Sequence, residues 1–307
     1  VILLLYNRLS DYLIKRYGEK VQRVGINAGF TCPNKTGLKG TGGCIYCDST
    51  GSSFASFNPE GSVKEQFNTM VEKRYKKRFN YFMAYFQSNT NTYASPNALR
   101  NVYSQLTDDP RVKILDISTR PDCVPDEVLD VIAEFKKNLD VFIEFGVEST
   151  NPNTLKFMNR GHGLAEVIDA VERAKKRDLE IILHFIVDFP TDTLEDVIEM
   201  AKISSVLGVQ GVKLHSLYIA ENTKLADMYK KGEIEPITLE EYLERTVKFL
   251  EYLDPDIVIH RMVAEPPQKG TLFGNWGMTK QKIQSMIEKK MEEEETYQGK
   301  KFNYINK

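Results

Sequence analysis

Six near-continuous apolar runs recur along this chain, each of strand length and each followed by a segment long enough for a helix. They are 22–27, 80–86, 113–118, 140–148, 180–187 and 211–218. A strand with one wet face alternates apolar and polar residues. A run that is apolar almost throughout is covered on both faces, as in a parallel sheet flanked by helices. The intervening segments keep helical spacing: Val128, Leu129, Ile132 and Phe135 behind a cap at Asp126, then 165–176, 193–207 and 238–253. Thr193 with Asp196 three residues on is one methylene short of the usual capping box. Repeated strand–helix units predict an α/β fold, a partial (β/α)6 TIM-like barrel. With 41% hydrophobic and 27% charged residues among 307, the chain has an ample core, and no Gly-, Pro- or Ser-rich linker splits it. We divide it into an N-terminal segment (1–20), the barrel (21–255) and a C-terminal extension packing on the barrel (256–307). The charged helix 280–295 reads as a surface appendage.

A net charge of −2 excludes a protein that is basic overall, but not one with a local basic face. Helical spacing from Glu60 to Phe79 contains Lys73-Arg-Tyr-Lys-Lys-Arg78, and Lys175-Lys-Arg177 is a second patch. Each reads as a phosphate-binding surface or as a solvated helix face. The apolar Val1–Leu5 is far too short to cross a membrane and no cleavage site follows it, so a cytoplasmic protein is expected.

Three of the four cysteines lie in one loop: Cys32, Cys44 and Cys47, with eleven residues in the first gap and two in the second. Clustered cysteines without a secretory signal point to metal rather than disulfides. Two readings are open. Structural zinc takes four closed ligands and would need Cys123 or a histidine from elsewhere. An iron–sulfur cluster held by three cysteines keeps one iron open for an outside ligand.

In an α/β barrel the loops after the C-terminal ends of the strands form the active face. On this chain those loops carry the cysteines, Gln87 to Asn91, Arg120 to Cys123, Glu148 with Ser149, Arg160 and Asp188. Each has a structural reading beside the functional one. Tyr46 packs at a strand–loop junction, Arg160 pairs with Glu148, His184 sits in the core and Cys123 is a small buried hydrophobe. Lys213, pointing into a barrel, needs an anionic partner.

The loop ending Cys44-Ile-Tyr-Cys47, directly after the first strand of a βα repeat, resembles that of the radical S-adenosylmethionine (SAM) superfamily. The long first gap is similar to the group related to the catalytic subunit of Elongator, in a bacterial branch without the acetyltransferase domain. Arg120-Pro-Asp122, Phe145-Gly-Val-Glu-Ser149, Asn159-Arg-Gly-His162, Val212-Lys-Leu214, Glu265-Pro-Pro and Trp276-Gly extend the resemblance over nearly the whole chain. It implies a [4Fe–4S] cluster on Cys32, Cys44 and Cys47, with SAM as cosubstrate. By the same resemblance Tyr46 lies near the adenine, Gln87 and Asn89 near the methionyl amino group, and Glu148, Ser149 and Asp188 near the ribose. Arg160 pairs with the methionyl carboxylate. Lys213, Arg120 and Cys123 are the candidate substrate-side groups. The resemblance also implies a tRNA wobble uridine as substrate, converted from carboxymethylaminomethyl to aminomethyl uridine, with Arg74, Lys76, Lys77 and Arg78 as the RNA contact. A low-potential donor such as flavodoxin or ferredoxin supplies the electron. A radical SAM enzyme for a small molecule or a protein shares the same core, and a zinc-stabilised RNA-binding module shares only the loop.

Overall fold

The structure, a computed structural model, describes residues 4–48, 61–75, 78–87 and 89–305. The apolar runs form β1 (Val21–Ile26), β2 (Tyr81–Phe86), β3 (Val112–Thr119), β4 (Asp140–Glu148), β5 (Glu180–Ile186) and β6 (Gly211–His215). Three further strands follow, β7 (Tyr218–Ala220), β8 (Val258–Arg261) and β9 (Thr271–Gly274). Seven of the nine make one parallel sheet in the order β1-β2-β3-β4-β5-β6-β8, curled into the expected partial barrel. Strands follow one another in sequence order because each helix returns the chain to the neighbouring position with the same hand.

The seventh strand lies beyond the expected barrel boundary at 255. Four residues long, β8 pairs in parallel with β6, and Asn7–Arg8 covers its outer edge through Ile259 N–H to Asn7 O (2.8 Å). The C-terminal helix Lys280–Glu293 is not a surface appendage either. Ile283, Ile287 and Met291 fall four residues apart on one face and are fully buried against the helix Leu239–Tyr252. Its Lys- and Glu-rich outer face hid that stripe. The run 211–218 is likewise two strands, bent at Ser216–Leu217. The helix expected over 60–79 is Val63–Met70 followed by a π-helical turn, Val71–Tyr75. Asp126 is the first helical residue rather than the cap, whereas Thr193 and Asp196 do close a reciprocal capping box.

Helices cover the outer face of the sheet with one continuous core. The N-terminal end of the barrel is closed by the helix Leu9–Tyr17, whose Leu13 meets Met83, Ile114, Phe142 and Ile182. The C-terminal ends of the strands are left for the site.

Candidate active site

The cysteine loop is shaped from two sides. Cys32 precedes one helical turn, Pro33–Thr36, and the Cys44–Cys47 turn closes with Cys47 N–H donating to Cys44 O at 3.1 Å. Asn159, held at a φ of 55°, clamps the loop from outside. Its amide donates to Thr41 O (3.0 Å) and Gly43 O (2.7 Å), its carbonyl accepts from Asn34 Nδ2 (2.7 Å), and Ile45 N–H donates to Met158 O (3.0 Å). Asn34 Nδ2 and Arg160 Nη1 also reach Cys44 Sγ at 3.5 and 3.6 Å. The three cysteines line one end of a cavity of about 1000 Å³.

Among the described residues no three His, Cys, Asp or Glu side chains converge on a point where one ion would sit. A lone zinc requires such convergence, with sulfurs at about 2.3 Å. A cluster distributes its thiolates over separate irons. The three thiols at one cavity end, with two donors already on a sulfur, fit a cluster. The surrounding polar groups fit a second, polar ligand. Tyr46 Oη, Gln87 Nε2, Arg120 Nη1 and Arg160 Nε are all buried on this cavity without a hydrogen-bond partner among the described residues, a costly state unless something else bonds them.

Arg160 is the hub of this end. Its Nη2 donates to Gly146 O at 2.7 Å and lies 3.4 Å from Glu148 Oε1. Residue 146 must be glycine for this approach: a Cβ there would stand 2.6 Å from Arg160 Nη2 and 2.7 Å from Glu148 Oε1. Two residues on, Glu148 takes a φ of 70° where the β4–β5 register shifts. That bulge swings its carboxylate toward Arg160 and toward His184 Nδ1 at 3.0 Å. Burial opposes ionisation of Glu148, but His184 and Arg160 override it and hold the carboxyl below its ordinary range. Asn89, also left-handed, accepts from Lys35 Nζ (3.2 Å) and donates to Phe30 O (3.0 Å), tying the loop after β2 to the cysteine loop. Arg120 is spent on Asp122, a bidentate pair with both bonds at 2.9 Å, and only its Nη1 remains open.

Deeper in the cavity lies a second polar group. Lys213 Nζ contacts both Glu144 oxygens at 2.9 and 3.0 Å and donates to Tyr85 Oη. Ser118 Oγ lies within hydrogen-bond distance of both Tyr85 Oη (3.1 Å) and Glu144 Oε1 (3.2 Å). Burial lowers the Lys213 ammonium to about 8, still charged at neutral pH. Burial opposes charge on Glu144 too, yet Lys213 holds it well below the ordinary carboxylate range. The anionic partner that Lys213 was expected to need is thus a protein carboxylate, Glu144, which leaves its charge already matched.

Three other predicted site residues face elsewhere. Asp188 accepts Leu217 N–H with both oxygens (2.8 and 3.0 Å), pinning the bend between β6 and β7, and does not line the cavity. Ser149 donates to Asp192 Oδ1 (3.0 Å) and caps Asn151 N–H (3.0 Å), fully buried. Neither lines the cavity. Cys123 is buried off the cavity, and burial, then Asp122, pushes its thiol up to about 12, so it behaves as a small hydrophobe. Arg74 and Arg78 are exposed, Arg74 at the cavity rim, while Lys76 and Lys77 lie outside the described residues. The 175–177 patch is engaged: Arg177 pairs with Asp126 and Asp130.

Residues missed from the sequence include Asn34, Asn159, Tyr85, Ser118, Glu144, Arg23, Asp116 and Arg261. Parity was an available signal. Charged or polar residues inside otherwise apolar strands fall on the inward set: Arg23, Tyr85, Ser118, Glu144, His184, Lys213 and Arg261 all line the cavity. Nothing local to Asn34 or Asn159 announces the clamp.

Among the described residues no helix is long and apolar enough to cross a membrane. The chain matches the radical SAM superfamily over residues 34–203 and the Radical_SAM C-terminal domain over residues 209–293. It is 30% identical over 301 residues to the uncharacterized protein YtqA of Bacillus subtilis (strain 168), covering 98% of this chain and 94% of YtqA. It is 28% identical over 137 residues to a tRNA uridine(34) acetyltransferase of Methanocaldococcus infernus, covering 44% of this chain and 25% of that protein. Among solved structures, the archaeal Methanocaldococcus infernus Elp3 with an N-terminal deletion superposes with a TM-score of 0.67 at 17% identity, over 91% of this chain and 64% of that one. This fold, this cavity and these matches make the chain a member of the radical SAM superfamily, a radical SAM enzyme whose cofactors are a [4Fe–4S] cluster and SAM.

Proposed function

We propose that this radical SAM enzyme acts on the wobble uridine of tRNA in the cytoplasm, converting a carboxymethylaminomethyl side chain to aminomethyl. The observation that carries the site assignment is the convergence of three thiols with four unpartnered buried polar groups on one end of a single cavity. Support for the substrate comes from the likeness to the tRNA uridine(34) acetyltransferase and from exposed Arg74 beside the cavity.

Cys32, Cys44 and Cys47 would hold the cluster. When bound, cluster and SAM supply a 5′-deoxyadenosyl radical that takes a hydrogen atom from the substrate. Asn34 and Arg160 donate toward the sulfur of Cys44 and so tune its electron density. Tyr46, Gln87, Asn89 and Arg160 would orient SAM, with Arg160 on the carboxylate. Glu148 holds Arg160 and His184 in place from the β4 bulge. Arg120, fixed by Asp122, keeps one N–H for the ligand. The Lys213–Glu144–Tyr85–Ser118 group gives a rigid floor whose polar atoms bond one another rather than water. A low-potential donor such as flavodoxin or ferredoxin supplies the electron.

Mass spectrometry of tRNA nucleosides tests the reading. Cells lacking the protein accumulate the carboxymethylaminomethyl nucleoside at the expense of aminomethyl derivatives. Unchanged wobble nucleosides end the tRNA assignment.

A further inference from the structure

Four cationic side chains of the cavity wall face a carboxylate. Arg120 pairs with Asp122 (2.9 Å), Arg160 with Glu148 (3.4 Å), Lys213 with Glu144 (2.9 Å) and Arg23, more loosely, with Asp116 (3.8 Å). Arg261, the last residue of β8, has no such partner among the described residues. Its Nε donates to Leu214 O at 3.2 Å, and its Nη2 lies 3.3 Å from His184 Nε2 and within hydrogen-bond distance of His215 Nδ1. Nη1 has no hydrogen-bond partner among the described residues, and the side chain stays partly exposed on the cavity.

The imidazoles do not neutralise it. His184 Nδ1 is taken by Glu148 at 3.0 Å, which leaves Nε2 as the acceptor facing Arg261. Burial, then the charge of Arg261, keeps His215 neutral. Glu144 acts on Arg261 only at longer range and is already bonded to Lys213. A guanidinium stays charged in such surroundings, so this wall carries a positive charge that no carboxylate among the described residues pairs with, and its Nη1 is left open. Beside it the ring of His215 meets that of His184 edge-on (centroids 5.3 Å, 68°) and that of Tyr218 at a tilt (5.5 Å, 45°), forming an aromatic corner.

We propose that Arg261 is the receptor for an oxyanion group carried by the substrate, with the rings of His184, His215 and Tyr218 packing against the part that adjoins it. The assignment rests on the cavity being the substrate site of the enzyme proposed above. It moves the anion contact from Lys213, which is occupied, to Arg261, which is not.

The test is equilibrium binding to anaerobically prepared, cluster-loaded enzyme of two matched probes, 5-carboxymethyluridine and its neutral isostere 5-carbamoylmethyluridine. The acid should bind wild type about tenfold or more tighter than the amide, the size expected of a charge-assisted hydrogen bond. Arg261→Gln should reduce the ratio to within about twofold and Arg261→Lys should keep most of it. Thermal unfolding of both variants checks that they fold. Displacement of the acid by inorganic phosphate assigns the site to oxyanions in general, and failure to displace it narrows the site to carboxylates. An acid no tighter than the amide on wild type, both failing to bind included, overturns the proposal, as does a tenfold preference that survives Arg261→Gln. Reductive SAM cleavage by the wild-type enzyme is scored separately. If cleavage is present and the acid preference is not, only the anion receptor falls. If cleavage is absent, the enzyme reading falls with it.

Discussion

The same seven strands end in two different ways. At their N-terminal ends the inward positions are Met83, Ile114, Phe142 and Ile182, sealed by Leu13. At their C-terminal ends the inward positions are Tyr85, Ser118, Glu144, His184, Lys213 and Arg261 around an open cavity. Shifting two residues along a strand keeps the same face, so one barrel interior changes from apolar core to polar site without changing its backbone. The difference teaches where stability and chemistry are kept apart. The apolar end is filled by side chains packing on one another, with His260 against Phe142 the polar exception. The polar end holds buried groups that only a ligand completes.

Changing the ligands breaks this comparison most severely. Cys44→Ser should lower cluster retention and SAM cleavage by at least about a hundredfold, read as iron content and 5′-deoxyadenosine formed, while the thermal unfolding of the apoprotein hardly moves. Full iron content with full cleavage would sink the assignment. Next, Lys213→Met leaves Glu144 buried without its counter-charge and should cost roughly 3–5 kcal/mol in denaturant unfolding. Adding Glu144→Gln should recover most of that, and a double variant as unstable as the single one would show that the pair is not the cause. At the other end, Leu13→Ala should cost about 2–4 kcal/mol by opening a cavity and leave iron content alone. A loss of iron there would mean that the two ends are coupled.

The smallest effect is a pH dependence. Asp116 is fully buried, and its carboxyl is raised to about 7 by burial and then by Glu144, against Arg23 and Lys213. In the unfolded chain it ionises near 4. The folded state therefore binds the extra proton, and this group's contribution to stability is present below about pH 4 and is lost as pH rises toward 7. Asp116→Asn removes that slope, so its melting temperature relative to wild type should rise between pH 5 and pH 8. An offset that is the same at both values would show that Asp116 is ionised throughout.

Much of this was legible beforehand because it depends on local pattern. Uninterrupted apolar runs require a sheet covered on both faces, and the three cysteines in one loop after the first strand require a thiolate site at a strand end. Arg160 pairing with Glu148 was readable as a possibility and is present at 3.4 Å. The misreadings share a cause. β8 is only four residues long, so its pattern is too short to register. Its place is set by pairing with β6 and by the cover of Asn7–Arg8. The helix 280–293 was read from its charged face, since three buried residues among fourteen do not reveal a partner.

Residue types and spacing alone determined the sheet, the cysteine site and the strand ends at which polar groups gather, because periodicity and ligand chemistry are properties of short segments. Only the tertiary structure decided who pairs with whom. Lys213 is matched by Glu144 from two strands away, Asp188 turns to Leu217, Cys123 is buried off the cavity, and Arg261 is left without a carboxylate. Those outcomes depend on distances between elements far apart in the chain and on the balance between burial and pairing of charge, and no local pattern encodes them.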